Sequence, residues 1–136
     1  HSSRRLRDRV RAGGVAIYLW GQTVILMLKK TQQPVCSELK MAKTPLKRLI
    51  GLIGTKKFED QALMFPFANH LHTFFMSIPI DVVYVDRKMK IVKIDHSLKP
   101  WRMPLPVFKA HSFIELPAGL AKTKQLTVGD ELYVGD

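Results

Sequence analysis

His72 and Asp81 are the two side chains of this 136-residue sequence best suited to proton-transfer chemistry. A carboxylate that accepts a hydrogen bond from an imidazole orients the ring, which can then act as a general base. Asp81 lies in an otherwise apolar run, and a buried carboxylate needs a partner because burying it alone is costly. Arg48, Arg102 and His72 are the available partners. The pair is therefore either the acid/base centre of a hydrolase or a structural clamp that fixes residues 72–79 onto a sheet.

Trp101 and Arg102 are the best candidates for a binding site. They lie in a proline-rich stretch, residues 100–106, which predicts a stiff, extended loop. An aromatic ring beside a guanidinium suits an anionic or planar ligand, or a peptide. The alternative is structural: Trp101 closes the end of a barrel and Arg102 forms an ion pair with Asp81 or Glu115.

His70 and His72 have the spacing of two metal ligands, because residues two apart on a strand face the same way. No Glu follows within the next few residues, and His96 or His111 would complete the site only if the chain folded back. The favoured interpretation is a hydrogen-bonded structural His72 beside an exposed His70. Neither a metal nor another cofactor is predicted.

The charge of the chain is strongly basic and unevenly distributed. Lys and Arg number 22 against 11 Asp and Glu, for a formal net charge of +11. Residues 1–13 carry five arginines and one aspartate, whereas the C-terminal half is nearly neutral. A basic tail without aromatic residues binds polyanions weakly, RNA and anionic membrane surfaces alike. We predict a flexible, solubilising tail over residues 1–13 and no specific nucleic-acid site.

The remaining residues, 14–136, predict one domain that is mainly β. A single cysteine excludes an internal disulfide framework and a cysteine-cluster zinc finger. The apolar stretch 15–28 is interrupted at residues 21–23 and is too short for a membrane span, so we predict a soluble protein with no such span. The compartment and the oligomeric state stay open.

Apolar, β-branched and turn residues predict short strands, and Thr44-Pro45 predicts the start of a helix over residues 45–53. A second helical turn is predicted through Lys122. We expect a compact β-sandwich or barrel with one or two short helices. The predicted strands are residues 15–20, 23–30, 34–42, 62–67, 80–86, 90–95, 112–116 and 131–134.

Five motifs, in order over about residues 23–134, resemble the domain of unknown function 192 family. They are A-K-T-P-L-K-R-L-I-G-L at residues 42–52, H-T-F-F-M-S-I-P-I-D-V at 72–82, K-P-W-R at 99–102, E-L-P-A-G at 115–119 and V-G-D at 128–130. The resemblance implies a small β-rich domain. Because no activity is established for that family, it implies no catalytic residue.

Two departures from the family pattern stand out. The hairpin after Asp86 lacks the usual glycine and reads Arg87-Lys88-Met89-Lys90, which predicts a longer turn or one without a positive φ. The cysteine that often precedes the central histidine is also missing before His72. Thiol chemistry at that point is therefore not expected.

Three functions remain, and the first is favoured. A non-catalytic domain would bind a small molecule or a peptide on the surface around His72, Trp101 and Arg102. A hydrolase would use His72 and Asp81 as acid and base, but no nucleophile, second catalytic acid or metal triad accompanies them. Polyanion binding through the basic N-terminal half is the third possibility.

Overall fold

The computed structural model describes residues 10–12, 15–17, 24–41, 61–74 and 76–135. Arg48 and the helix predicted over residues 45–53 lie outside these ranges. The described elements, in chain order, are β1 (Val10–Ala12), β2 (Val15–Ile17), β3 (Ile25–Leu28), β4 (Gln33–Cys36), β5 (Glu38–Met41), β6 (Gln61–Pro66), β7 (Ile80–Val85), β8 (Ile91–Leu98), β9 (Ser112–Pro117), α1 (Leu120–Thr123) and β10 (Leu132–Gly135).

Three sheets are formed by these strands. The largest has the order β5-β6-β9-β7-β8, the second β10-β3-β4, and the third pairs only β1 with β2. All pairings are antiparallel except β5 with β6, which is parallel. Strand β7 lies inside the five-stranded sheet and is buried along its whole length, as its nearly continuous apolar sequence requires.

One face of the five-stranded sheet, here called the sheet-packed face, lies against the three-stranded sheet. Val83 and Ile114 of this face share one buried cluster with Leu26 and Val35 of the smaller sheet, and Ala121 of α1 joins them. Side chains alternate along each strand, so every second residue of β7 and β9 reaches this cluster. This face holds the main core of the protein.

The opposite face, here called the loop-covered face, is closed by chain without regular secondary structure. Leu71 and Met76 pack there against Val82 and Phe113 of the sheet. The covering segments, residues 67–79 and 99–111, are hydrogen-bonded to each other. The N–H of Ala68 donates to His111 at 3.1 Å, that of Val107 to Asn69 at 2.9 Å, and that of Thr73 to Arg102 at 2.8 Å, each to the carbonyl oxygen.

The structure confirms a mainly β fold with one short helix among the described residues. Its described sheets form no closed barrel, so the sandwich rather than the barrel is correct. None of the helices within the described ranges is long and apolar enough to cross a membrane. Within residues 1–13 only Val10–Ala12 is described, as a strand, and the predicted flexible tail stays a prediction.

Of the two alternatives expected for the hairpin after Asp86, the turn without a positive φ is wrong. Met89 adopts φ +62°, the left-handed conformation in which the family usually has glycine. Its N–H donates to the carbonyl oxygen of Asp86 at 3.0 Å, and its carbonyl oxygen accepts from Leu132. The side chain is buried in the core. Core packing and two hydrogen bonds therefore hold a bulky residue in a conformation it rarely adopts.

Candidate functional site

Thr73 joins the two segments that carry the predicted binding residues. Its hydroxyl donates to the carbonyl oxygen of Lys99 at 2.7 Å and accepts from the N–H of Arg102 at 2.8 Å. Its N–H donates to the carbonyl oxygen of Arg102 at 2.8 Å, and its carbonyl oxygen accepts from the N–H of Trp101 at 2.9 Å. The whole residue is buried. Four hydrogen bonds of this one residue thus tie the loop of Trp101 to the segment of His72.

Three aromatic rings form a stack above this connection. The rings of His72 and Phe74 lie 4.7 Å apart between centroids, and those of Phe74 and Trp101 lie 5.8 Å apart. Both pairs are close to parallel, with interplanar angles of 30° and 26°. Nδ1 of His72 accepts a hydrogen bond from the N–H of Phe74 at 3.3 Å. His72 and Trp101, which were predicted from separate motifs, therefore belong to one surface feature.

The backbone of Trp101 is strained. Its φ is +61°, a region that bulky residues rarely occupy, and its side chain is 57% exposed. Strain of this kind persists only where the surroundings impose it, and it is concentrated at functional sites. The hydrogen bonds of Thr73 to Trp101 and Arg102 impose it here. The indole of Trp101 is thus exposed to solvent by a backbone conformation that is unfavourable for a bulky residue.

Asp81 does not belong to this surface. Its Oδ1 accepts from the N–H of Ser97 at 2.8 Å, and its Oδ2 accepts from the N–H of Ala121 at 2.9 Å. Ser97 lies in an irregularity of the β7–β8 pairing with φ +48°, and Ala121 lies in the first turn of α1, whose N-cap residue Gly119 provides no side-chain hydrogen bond. The carboxylate therefore satisfies two backbone amides that regular structure leaves unpaired.

The predicted partners of Asp81 are accordingly wrong within the described part of the chain. Neither His72 nor Arg102 reaches its carboxylate, because both oxygens already accept from amides and the side chain points to the sheet-packed face. The oriented His72–Asp81 pair that a hydrolase would need is therefore not formed. Arg102 lies beside Trp101 with its side chain exposed, and Arg48 lies outside the described residues.

The histidines do not assemble into a metal centre in the described ranges. His70 is exposed, whereas His72 is stacked on Phe74. Within those ranges, no group of three or more His, Cys, Asp or Glu side chains has the geometry to hold a metal ion. His72 thus has a structural contact within the aromatic stack, and His70 stands apart from it.

Glu115 was considered in the sequence only as an ion-pair partner of Arg102, and the structure does not form that pair. It lies on β9, facing the loop-covered face between Leu63 and Val82 of the neighbouring strands. Its side chain is fully buried, and neither carboxylate oxygen has a hydrogen-bond partner within the described residues. Burial raises the pKa of Glu115 well above its usual range. An acid inside an apolar strand was the signal that singled out Asp81, and the same signal applies here.

Tyr84, the diagonal neighbour of Glu115 on that face, is also buried. Its hydroxyl donates to Oδ2 of Asp95 at 2.9 Å, and Lys93 binds the other carboxylate oxygen at 3.3 Å. Burial, followed by the nearby charge of Asp95, raises the pKa of Tyr84 well above its usual value. Burial thus favours the neutral forms of Glu115 and Tyr84.

A shallow cleft of about 600 Å³ opens at the other end of the covering loops. It lies between the hairpin after β7 and the turn of residues 107–110. Its lining is basic and includes one exposed aromatic ring; the residues are Asp86, Arg87, Lys88, Lys90, Phe108, Lys109, Ala110, His111 and Glu131.

Comparison with known proteins agrees with this architecture. A solved structure of a putative transcription regulator from Sinorhizobium meliloti superposes with a TM-score of 0.63 at 20% identity, covering 82% of this chain and 91% of that one. A protein of unknown function from Novosphingobium aromaticivorans gives 0.61 at 18% identity, covering 92% and 90%. At these identities the likeness shows the fold alone.

The sequence relatives point to one family. A UPF0127 protein of Pyrococcus horikoshii is 31% identical over 99 residues, covering 70% of this chain and 85% of its own length. A UPF0127 protein of Thermococcus kodakarensis is 36% identical, covering 68% of this chain and 62% of its own length. The family model described as uncharacterized ACR matches residues 26–134. The chain therefore belongs to the domain of unknown function 192 family.

Proposed function

We propose that this chain is a non-catalytic binding domain and that its ligand is a peptide segment carrying an acidic side chain. The observation that carries the proposal is the stack of His72, Phe74 and the exposed, strained Trp101. Aromatic side chains that are rigid and partly exposed contribute much of the energy at protein interfaces. This stack is rigid because Thr73 fixes both segments that form it.

The chemistry around the stack supports a peptide with an acidic group. Lys99 and Arg102 flank Trp101, and no acidic residue occurs between Asp95 and Glu115. A guanidinium binds a carboxylate in a bidentate manner, and an indole covers apolar side chains. Met103, which is 60% exposed, extends the apolar surface along the loop. The ligand is therefore expected to combine apolar and acidic residues.

The shape of the surface favours an extended peptide over an enclosed small molecule. Small-molecule sites are concave and bury most of the ligand. Trp101 and Met103 instead project from the loop into solvent, with 57% and 60% of their side chains exposed. These two side chains offer contacts along the loop, and an extended peptide can follow such a row of contacts.

Selection from a random twelve-residue peptide display library tests this proposal. The enriched peptides should contain an acid beside aromatic or aliphatic residues. A selected peptide should lose at least about tenfold in affinity on Trp101→Ala, about 1.4 kcal/mol, because the main aromatic anchor is removed. Arg102→Ala should weaken acidic peptides but not their amide versions.

Val128→Ala is the matched control, because Val128 is 64% exposed and lies in the segment that follows α1. It should leave the affinity unchanged. If no peptide is enriched above background, or if Trp101→Ala binds the selected peptides as well as the wild type, the proposal is wrong.

A further inference from the structure

We infer that the turn at residues 107–110, together with Leu105, docks this protein onto the surface of an anionic lipid bilayer. The inference goes beyond the proposed peptide binding and does not depend on it, because it uses side chains at the other end of the covering loop. Leu105 and Phe108 are 83% and 86% exposed, which is nearly complete exposure for large apolar side chains. Clustered apolar exposure marks a protein or membrane contact.

Hydrogen bonding and core packing hold Phe108 in its exposed position. The N–H of Ala110 donates to the carbonyl oxygen of Val107 at 2.9 Å, which closes a tight turn with Phe108 and Lys109 at its corners. Ala110 is buried and Val107 packs on the same cluster, so both ends of the turn are anchored in the core. The corner side chains must then point into solvent.

Basic residues line the same cleft as the exposed ring of Phe108. Lys109 is next to Phe108 in the turn, and Arg87, Lys88 and Lys90 line the adjoining cleft. None of these four forms an ion pair within the part of the chain that the structure describes. Uncompensated cations beside apolar tips are the pattern of proteins that bind anionic membrane surfaces.

The two acids of the cleft have other partners. Oδ1 of Asp86 accepts from the backbone N–H groups of Lys88 and Lys90, at 2.9 and 3.0 Å. Glu131 is paired with Lys29 at 3.0 Å. With four cations against these two carboxylates, the lining of the cleft keeps a net positive charge, which attracts an external anion.

The turn of residues 107–110 together with Leu105 is here called the apex, and a bilayer fits it better than a folded or extended protein partner does. Side chains that protrude this far require a partner that can accommodate protrusions, and the interface of a bilayer accommodates apolar tips at any position. Headgroup phosphates can meet cations wherever these lie around the tips. A peptide would instead need a groove or a strip of fixed register.

Cosedimentation of the full chain with two kinds of vesicle tests the inference. One kind is pure phosphatidylcholine, and the other contains about 30% phosphatidylglycerol. The protein should bind the anionic vesicles and not the neutral ones, and added salt should weaken the binding. Phe108→Ser and Leu105→Ser should each reduce the partition coefficient at least about fivefold, and Lys109→Glu about tenfold.

Matched controls separate this apex from the general positive charge of the chain. Lys122→Glu makes the same change of charge on α1, and Val128→Ser removes an exposed apolar side chain beyond α1. Both should bind within about twofold of the wild type. Because Phe108 and Leu105 are so exposed, their variants should also keep the wild-type melting temperature.

Three outcomes would overturn the inference. The protein does not sediment with anionic vesicles, or Phe108→Ser sediments like the wild type, or Lys122→Glu weakens binding as much as Lys109→Glu. Binding to soluble polyglutamate without vesicle binding would indicate an acidic protein partner instead. Loss of peptide binding in Trp101→Ala with vesicle binding retained would support both proposals and show that the two surfaces act independently.

Discussion

The two faces of the five-stranded sheet each bury one carboxylate, and the hydrogen bonding of these two carboxylates differs. Asp81 on β7 and Glu115 on β9 are near neighbours in register, since Asp81 faces Leu116 and Val82 faces Glu115. Both are fully buried. Asp81 accepts from two backbone amides, whereas Glu115 has no partner in the described residues.

The two faces also differ in what covers them. The sheet-packed face is covered by regular structure, and its carboxylate satisfies the amides that a bulge and a helix start leave free. The loop-covered face is closed by two irregular segments and retains a polar group at a cost in stability. Groups that lower stability are found where a protein keeps a functional surface. The aromatic stack and the exposed apex both belong to the cover of this second face.

The largest effect is expected from Asp81→Asn. An amide can accept one of the two hydrogen bonds, but its NH₂ group then faces a second N–H donor. We expect the free energy of unfolding to fall by about 2–4 kcal/mol, as for breaking one side of a buried polar pair. A urea melt measures this loss. Hydrogen exchange should accelerate at the amides of Ser97 and Ala121. Unchanged or increased stability would mean that the two hydrogen bonds of Asp81 do not stabilise the fold.

Glu115→Met should have the opposite sign. It replaces an unpartnered polar side chain with an apolar one of similar length, so we expect a gain of about 1–3 kcal/mol at pH 7.5. Below the ordinary glutamate pKa, about 4.3, the folded and unfolded states both hold the proton. Above it the unfolded state loses the proton while the folded state keeps it, so wild-type stability falls as the pH rises toward the raised pKa of Glu115.

The pH series is the informative measurement for this variant. The difference between Glu115→Met and wild type, from urea melts, should grow from pH 4 to pH 7.5. Glu131→Gln is the control, because that carboxylate forms an exposed pair with Lys29 and should change stability by less than about 1 kcal/mol. A difference that is constant with pH would show that Glu115 ionises normally in the folded protein.

The smallest effect is expected from Thr73→Val, which keeps the shape of the side chain and removes its hydroxyl. The N–H of Arg102 and the carbonyl oxygen of Lys99 lose their partner, at a cost of about 1–2 kcal/mol. Exchange at the Arg102 amide should accelerate, and peptides selected on the wild type should bind more weakly. Thr73→Ser retains the hydroxyl and should behave like the wild type. Full retention of peptide affinity in Thr73→Val would show that the hydroxyl of Thr73 is not needed to hold the peptide-binding surface.

The sequence predicted the strands of the sheets well and the polar contacts poorly. Runs of β-branched and apolar residues predicted β6, β7 and β9, and the break at Arg87-Lys88 predicted the β7–β8 hairpin. The left-handed Met89 was not predictable, because it depends on burial of that side chain and on hydrogen bonds to Asp86 and Leu132. Local sequence patterns indicate the periodicity of apolar residues and the preference for strand or helix. Backbone strain at one residue is imposed instead by contacts with distant parts of the chain.

Motif order, residue spacing and prolines in the sequence predicted the family, the mainly β class and the exposed positions of Trp101 and Arg102. The tertiary structure decided the partners of the buried acids. It assigned Asp81 to two amides from β8 and α1, and it left Glu115 without a hydrogen-bond partner among the residues that the structure describes. The reason is that hydrogen bonding of a buried carboxylate depends on which backbone groups the fold leaves unpaired, and that is decided only when the strands and the covering loops meet.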